Sequence, residues 1–276
     1  MAKKNVNEMS FLDHLEDLRW HLIRATIGVL IGAVIAFVLV EFLFETIIFG
    51  PTEMDFPTYR GLCKMAQLFN FDSTFCNQEF PFTIQNRTVA GQFSAHIWTA
   101  IYAGFVIAFP YVIYQLWKFI SPGMKNNERK NSRGFLLASS FLFFCGVLFG
   151  YYIVTPLSLN FLANYSVSDK IINEFDLSSV IAIVRSSALA SGIVFQLPIV
   201  IFFLTKIGVV TPQILRKYRK FALVLVLILA AIITPPDLTS QVIVAIPILI
   251  LYQVSIYISA VVVKRQKRAK GTRVSV

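Results

Sequence analysis

Residues 23–40 read IRATIGVLIGAVIAFVLV, eighteen positions with a single charge near the start. A helix rising about 1.5 Å per residue needs about that length to cross a roughly 30 Å hydrocarbon layer. Similar runs recur, so membrane spans are expected at about 22–44, 94–119, 133–155, 179–203, 219–234 and 241–262. Within lipid the backbone must satisfy its own polar groups, which makes each span a helix. The expected fold class is therefore all-α: one polytopic transmembrane domain over 1–276 with six spans. Hydrophobic residues are 56% of the chain and charged residues 14%, which excludes a soluble domain with an ordinary surface. The first run lacks the short apolar core and small-residue cleavage site of a removable signal, and is expected to be retained. The fifth is the weakest span: FALVLVLILAAIIT has fourteen residues. It covers only about 20 Å, and needs a thinned bilayer, snorkelling flanks or sheltering neighbours.

Charge placement orients the spans. Four Lys or Arg flank the first run (Lys3, Lys4, Arg19, Arg24), five lie between about 118 and 133, five between 206 and 220, and six beyond Val263. The alternate loops hold three (Arg60, Lys64, Arg87), one (Lys170) and none. The positive-inside rule then predicts both termini in the cytoplasm and an even number of spans. This distribution explains the net charge of +10 without a nucleic-acid partner. The basic tail 263–276 is expected to meet anionic lipids, at about 1 kcal/mol per residue near such a surface. The outer loop 45–93 holds Cys63 and Cys76, which are either a disulfide or two free thiols. Cys145 falls in a span and is expected to be a small buried hydrophobe.

Polar residues in costly places are the candidates for function. Asp13, Glu16 and Asp17, in DHLEDLRWHL, have i, i+3, i+4 spacing on one helical face. They are either a helix start favoured by its dipole or a site for a cationic partner. His14 and Leu18 are expected to point elsewhere, and Leu15 and Leu22 to pack against the membrane-embedded body. Glu128 is the one acid in SPGMKNNERK. It either pairs with Lys125 or Arg129, worth about 0–1 kcal/mol, or adds a second carboxylate to that of Asp17. Arg185 and Gln196 interrupt the fourth span, as interhelical contacts or as the lining of a polar cavity. In TPPDLTSQ the tandem proline stops one helix and Asp237 is expected to cap the next. Prolines 110, 156, 198 and 247 predict kinks and a curved bundle. No GxxxxGK[ST], HExxH or GxSxG motif occurs, so no cofactor, metal or catalytic chemistry is expected.

Together, HLEDLRWHL, FPYVIYQLWKFISPGMKNNERK, FQLP and TPPDLTSQ resemble the TatC family, the multispanning receptor subunit of the twin-arginine protein translocase. The resemblance runs from about residue 10 to 262 and is least in the outer first loop. It implies a six-span, N-in, C-in, glove-shaped protein of the bacterial cytoplasmic membrane, with a concave face and no enzymatic activity. It further implies binding of signal peptides with two consecutive arginines by acids matched here by Asp17 and Glu128. Asp17 stands where the family usually has Glu, one methylene longer, and the neighbouring Glu16 offers compensation. Leu18 and Arg19 complete the first motif, while Pro122 helps end the second span and shapes the loop bearing Glu128. Gln196 stands where the family usually places Glu, retaining polarity without titration. Asp237 matches an acid implied in partner docking; no family role carries over to Arg185, which is expected on the concave side facing polar groups of a partner or signal. The implied partners are TatA- and TatB-like single-span proteins in an oligomeric complex, with export of folded cargo driven by the proton gradient. The rival reading is a secondary transporter with Arg185 and Gln196 lining its site. The unequal halves and absence of an internal repeat weigh against it.

Overall fold

A computed structural model of the protein describes residues 11–53, 55–69, 82–121, 132–168, 170, 173–235 and 237–274. The described chain is helical apart from a two-stranded ladder of three-residue strands, β1 (Thr83–Gln85) and β2 (Glu174–Asp176). It divides into two compact units, one of Met1–Phe49, Asn86–Leu142 and Asp176–Ile181, the other of Gly50–Gln85, Phe143–Phe175 and Ala182–Val276.

The first unit is organised by α1 (Phe11–Val38) and α3 (Gly91–Ile120). Small residues let their backbones approach closely, as expected where van der Waals packing must hold helices together in lipid. A Cβ added at Gly104 would sit 2.3 Å from the Ala33 nitrogen, and one at Gly32 would sit 2.8 Å from the Gly104 carbonyl oxygen. Ala36, Leu43 and Ala100 form a buried cluster nearby. The His96 ring stacks on Phe37 at 3.9 Å between centroids, and its Nε2 donates to the Phe37 carbonyl at 3.0 Å. The expected first span, 22–44, runs past the end of α1, because the chain changes to a π-helical turn at Phe42–Ile48. Leu30, Ile31, Val34 and Val38 are exposed on the opposite side of α1, an apolar stripe suited to lipid.

The segment expected to be the outer loop, 45–93, contains helical structure among its described residues. A 3-10 turn at Gly50–Thr52 leads into α2 (Pro57–Phe69). Tyr59 is buried, with its hydroxyl 3.1 Å from the Pro51 carbonyl and 3.0 Å from that of Pro156. Phe56 stacks on Tyr152, and Thr58 donates to the Tyr152 carbonyl.

Helix α4 (Ser132–Phe149) belongs to the first unit through Leu142 and to the second from Phe143, and passes through a π-helical turn, Gly150–Val154, into α5 (Thr155–Asn164). A Cβ at Gly150 would lie 2.3 Å from the Ser187 carbonyl oxygen on α6 (Leu177–Val194). One of the four prolines expected to kink helices instead starts one. Pro198 lies at the beginning of α7 (Leu197–Lys206), where a missing N–H costs nothing, whereas Pro156 follows the π-helical turn inside the continuous stretch Gly134–Asn164. Pro110 and Pro247 are inside helices. After α7, Gly208 takes φ +85, while the Val209 N–H bonds the Leu204 carbonyl and the Gly208 N–H that of Thr205. This is the left-handed helix stop that glycine adopts most readily.

Then follow α8 (Pro212–Lys217), α9 (Arg219–Ile233) and α10 (Leu238–Val274). Val226 and Ala230 of α9 pack with Val154, Val244, Ala245 and Ile248. Polar ties cross the same region: Thr205 Oγ1 to Ser259 Oγ at 2.9 Å, Tyr252 hydroxyl to the Leu215 carbonyl at 2.8 Å, and Gln241 Nε2 to the Leu227 carbonyl at 3.0 Å. Among the described residues, five helical stretches are long and apolar enough to cross a membrane: His14–Val38, Gly91–Ile120, Gly134–Asn164, Leu177–Lys206 and Ser240–Gln266. The expected fifth span is not among them. It is α9, whose fifteen residues extend only about 22 Å.

Candidate functional site

His14 and His21 are seven residues apart, two turns of α1, and so share one helical side. That side packs on the last turns of α3, where Gln115 and Phe119 are themselves four apart. The His14 ring stacks on Phe119 with centroids 4.5 Å apart. His21, 6% exposed, places Nδ1 2.8 Å from Oε1 of Gln115, 4% exposed. Two polar groups buried between apolar helices thus satisfy one another, avoiding the cost of unpaired burial.

Asp17, four residues before His21, borders this seam. Its Oδ1 lies 3.9 Å from His21 Nε2 and its side chain is 42% exposed. A carboxylate half open to water and half walled by a buried polar pair can accept two parallel N–H bonds from a guanidinium. Glu16 is exposed and leaves the helix about 100° around from Asp17. The sequence expectation for the remaining face is corrected. Leu15 and Leu22 do not pack inward but are 45% and 50% exposed, because the histidine side of α1 takes the contact with α3. With Leu18 and Ile27 they line a furrow of about 430 Å³ that has Arg19 among its walls. His14 likewise does not point away from the acids' neighbourhood, since it precedes Asp17 by one turn on the α3 side.

Glu128, Pro122 and Cys76 lie outside the described residues. Cys63 is disulfide-bonded and accepts a contact from Gln67 Nε2 at 3.6 Å. Cys145 is free and partly buried. In the second unit Asp237 caps α10: its Oδ2 accepts from the Ser240 N–H at 2.7 Å and its carbonyl from the Gln241 N–H at 3.0 Å. Gln196 is partly buried at the break between α6 and α7, with its carbonyl accepting from the Ile199 and Val200 N–H groups. Helix α6 ends at Val194, so Gln196 does not continue the helix that carries the partly buried Arg185. No cluster of three metal-binding side chains occurs among the described residues.

The contact between His21 and Gln115 was not anticipated from the sequence. Its signal was present as two pairs at helical spacing, His14 with His21 and Gln115 with Phe119, each on a single face of an otherwise apolar span. Outside the spans, Asp176 is held below the ordinary carboxylate range, chiefly by the Ser178 hydroxyl bonded to it.

The sequence pattern of the family described as Sec-independent protein translocase protein (TatC) matches residues 13–247. The Sec-independent protein translocase protein TatC of Blattabacterium sp. subsp. Periplaneta americana is 43% identical over 265 residues, covering 96% of this chain and all of that protein. TatCy of Bacillus subtilis is 32% identical over 272 residues, covering 98% of this chain and 96% of that protein. The crystal structure of a twin-arginine translocase receptor, TatC, superposes with a TM-score of 0.68 at 32% identity, covering 91% of this chain and 99% of that one. The chain therefore belongs to the TatC family, the multi-pass inner-membrane components of bacterial Sec-independent protein translocases.

Proposed function

We propose that this chain is the receptor of a twin-arginine translocase, taking up the signal peptides of folded proteins at its cytoplasmic face and recruiting TatA- and TatB-like single-span partners. The observation that carries the reading is Asp17, a half-exposed carboxylate at the head of a membrane-length helix. Two adjacent arginines present planar, permanently charged groups, and a carboxylate at the lipid boundary accepts them bidentately, which lysine cannot reproduce. Glu128 supplies the second acid from the loop after α3, and Glu16 reinforces the local negative charge. Arg19 and Leu18 are assigned to setting the helix at the interface, and Pro122 to supporting the motif that carries Glu128. The furrow beside Leu15, Leu18 and Leu22 offers the apolar part of the signal a surface next to the acid.

Six crossings are proposed, with α9 spanning a locally thinned layer, because only an even count leaves both basic ends in the cytoplasm. The exposed Lys264 and Arg265 face anionic headgroups. A disulfide from Cys63 to Cys76 is proposed to close the outer loop. Asp237, Gln196 and Arg185 are assigned to contacts with partner helices, with Gln196 contributing polarity and no proton transfer. Transport is driven by the proton gradient.

Crosslinking of a photoreactive twin-arginine signal peptide to the chain in membrane vesicles tests the site. Asp17→Ala and Glu128→Ala are each expected to reduce capture about tenfold or more, as loss of a charge-assisted pair of bonds worth roughly 1.5–3 kcal/mol would do. Changing both signal arginines to lysine is expected to act likewise. Undiminished capture by both variants refutes the carboxylate site.

A further inference from the structure

We infer that His21, fixed by Gln115, is a positioning residue that holds the Asp17 carboxylate in the orientation used for signal binding. The inference rests on the reading of Asp17 given above and extends it to two residues buried behind the acid.

Three features of the geometry support it. First, the His21 ring has little freedom, being buried between α1 and α3 with Phe119 at 6.3 Å from its centroid. Second, Gln115 Oε1 accepts from Nδ1–H, which leaves Nε2 facing Asp17 as an acceptor in the neutral ring. Third, the 3.9 Å between Nε2 and Oδ1 is too long for a direct bond but within reach of a single water that donates one hydrogen to each and so fixes that carboxylate oxygen. The Asp17 side chain, 42% exposed, keeps further acceptor positions that an arriving guanidinium can reach.

The pair also compensates for the short side chain of Asp17. With only one methylene between backbone and carboxylate, the acid has fewer torsions to adjust than a glutamate, so a fixed neighbour largely decides where its oxygens lie. His14 continues the same wall one turn earlier through its stack on Phe119, and Lys118 is the nearest cation in sequence on α3. A buried His–Gln bond costs more to assemble than an apolar contact of the same size would. Gln115 is therefore explained by what its partner does at the surface as well as by packing.

The test uses the full chain in nanodiscs, titrated with a fluorescent twin-arginine signal peptide. His21→Ala and Gln115→Ala are expected to weaken binding about 3- to 10-fold, the range for losing one well-placed hydrogen bond. In an Asp17→Ala background the same changes are expected to have no added effect, because they act through the acid. Losses that multiply, or full affinity in both single variants alongside a loss in Asp17→Ala, overturn the inference. Full affinity in Asp17→Ala instead refutes the receptor site itself. The positioning claim is then decided by the carboxyl carbon resonance of Asp17 in solid-state NMR without peptide. That resonance is expected to shift and broaden in both variants and to stay unchanged in Thr26→Ala, whose hydroxyl bonds only its own helix at the Leu22 carbonyl. An Asp17 signal identical to wild type in His21→Ala overturns the inference whatever the peptide does.

Discussion

Gly104→Ala probes the packing on which the site depends. The added Cβ would lie 2.3 Å from the Ala33 nitrogen, 2.6 Å from the Ala33 Cα and 2.7 Å from the Val29 carbonyl oxygen. All three are backbone atoms of α1, so no side chain can swing aside. The helices must instead separate locally by roughly 1 Å to restore ordinary contact. Overpacking of this kind costs about 1–3 kcal/mol, and the rigid opponent places it in the upper part of that range. Alanine returns up to about 1 kcal/mol in helix propensity, leaving a net loss of about 1–2 kcal/mol. Gly134→Ala is the control, because nothing lies within 4 Å of a Cβ there and only the propensity gain applies. Unfolding in mixed micelles by added SDS, followed by tryptophan fluorescence, is expected to give an earlier midpoint for Gly104→Ala and an unchanged or later one for Gly134→Ala. Equal midpoints would refute the claim that close backbone approach holds α1 to α3.

Other outcomes follow from the same geometry. Tyr59→Phe should destabilise the outer segment by about 1–2 kcal/mol, since the hydroxyl lies within hydrogen-bonding distance of the Pro51 and Pro156 carbonyls. Burial raises the Tyr59 phenol above its usual value near 10, so its contribution is present below that pH and is lost on further alkalinisation. Protease susceptibility of α2 across pH 8–11 checks both points. Asp237→Ala should cost about 0.5–2 kcal/mol as a lost helix cap while Asp237→Asn retains most of it. Equal losses in SDS unfolding would show that charge rather than capping matters there. Asp176 has a depressed carboxyl pKa, so its contribution is complete above the ordinary carboxylate value near 3.9 and is lost as pH falls through the lower folded value. Exchange of the Ser178 amide, corrected for intrinsic rates, should therefore accelerate only under strong acid, and Asp176→Ala should accelerate it at the higher pH values where the wild-type carboxylate is ionised.

Much of the architecture is legible along the chain because membrane helices are local objects. Apolar length locates the hydrophobic cores of the helices, and the tandem proline followed by Asp237 announces a cap that lies within three residues of its target. The motifs around Asp17, Glu128, Gln196 and Asp237 carried the family resemblance, which the matched pattern over residues 13–247 establishes. Span counting was less secure at α9, because a fifteen-residue helix can be recognised as apolar without being long enough to cross alone.

The inward face of α1 was misread for a related reason. Leucines at positions 15 and 22 are the obvious candidates for packing when helices are judged as in water. Lipid is as apolar as leucine and gives them no reason to turn inward. Sequence by itself determined which long apolar segments are helical and which residues would be costly in a membrane, since these depend on composition over a few adjacent turns; the helix Pro57–Phe69 was not legible in it. Only the tertiary structure decided that His21 meets Gln115, 94 residues away, behind Asp17. That meeting depends on the rotation of two helices about their axes, which is set where Gly32 and Gly104 allow their backbones to touch.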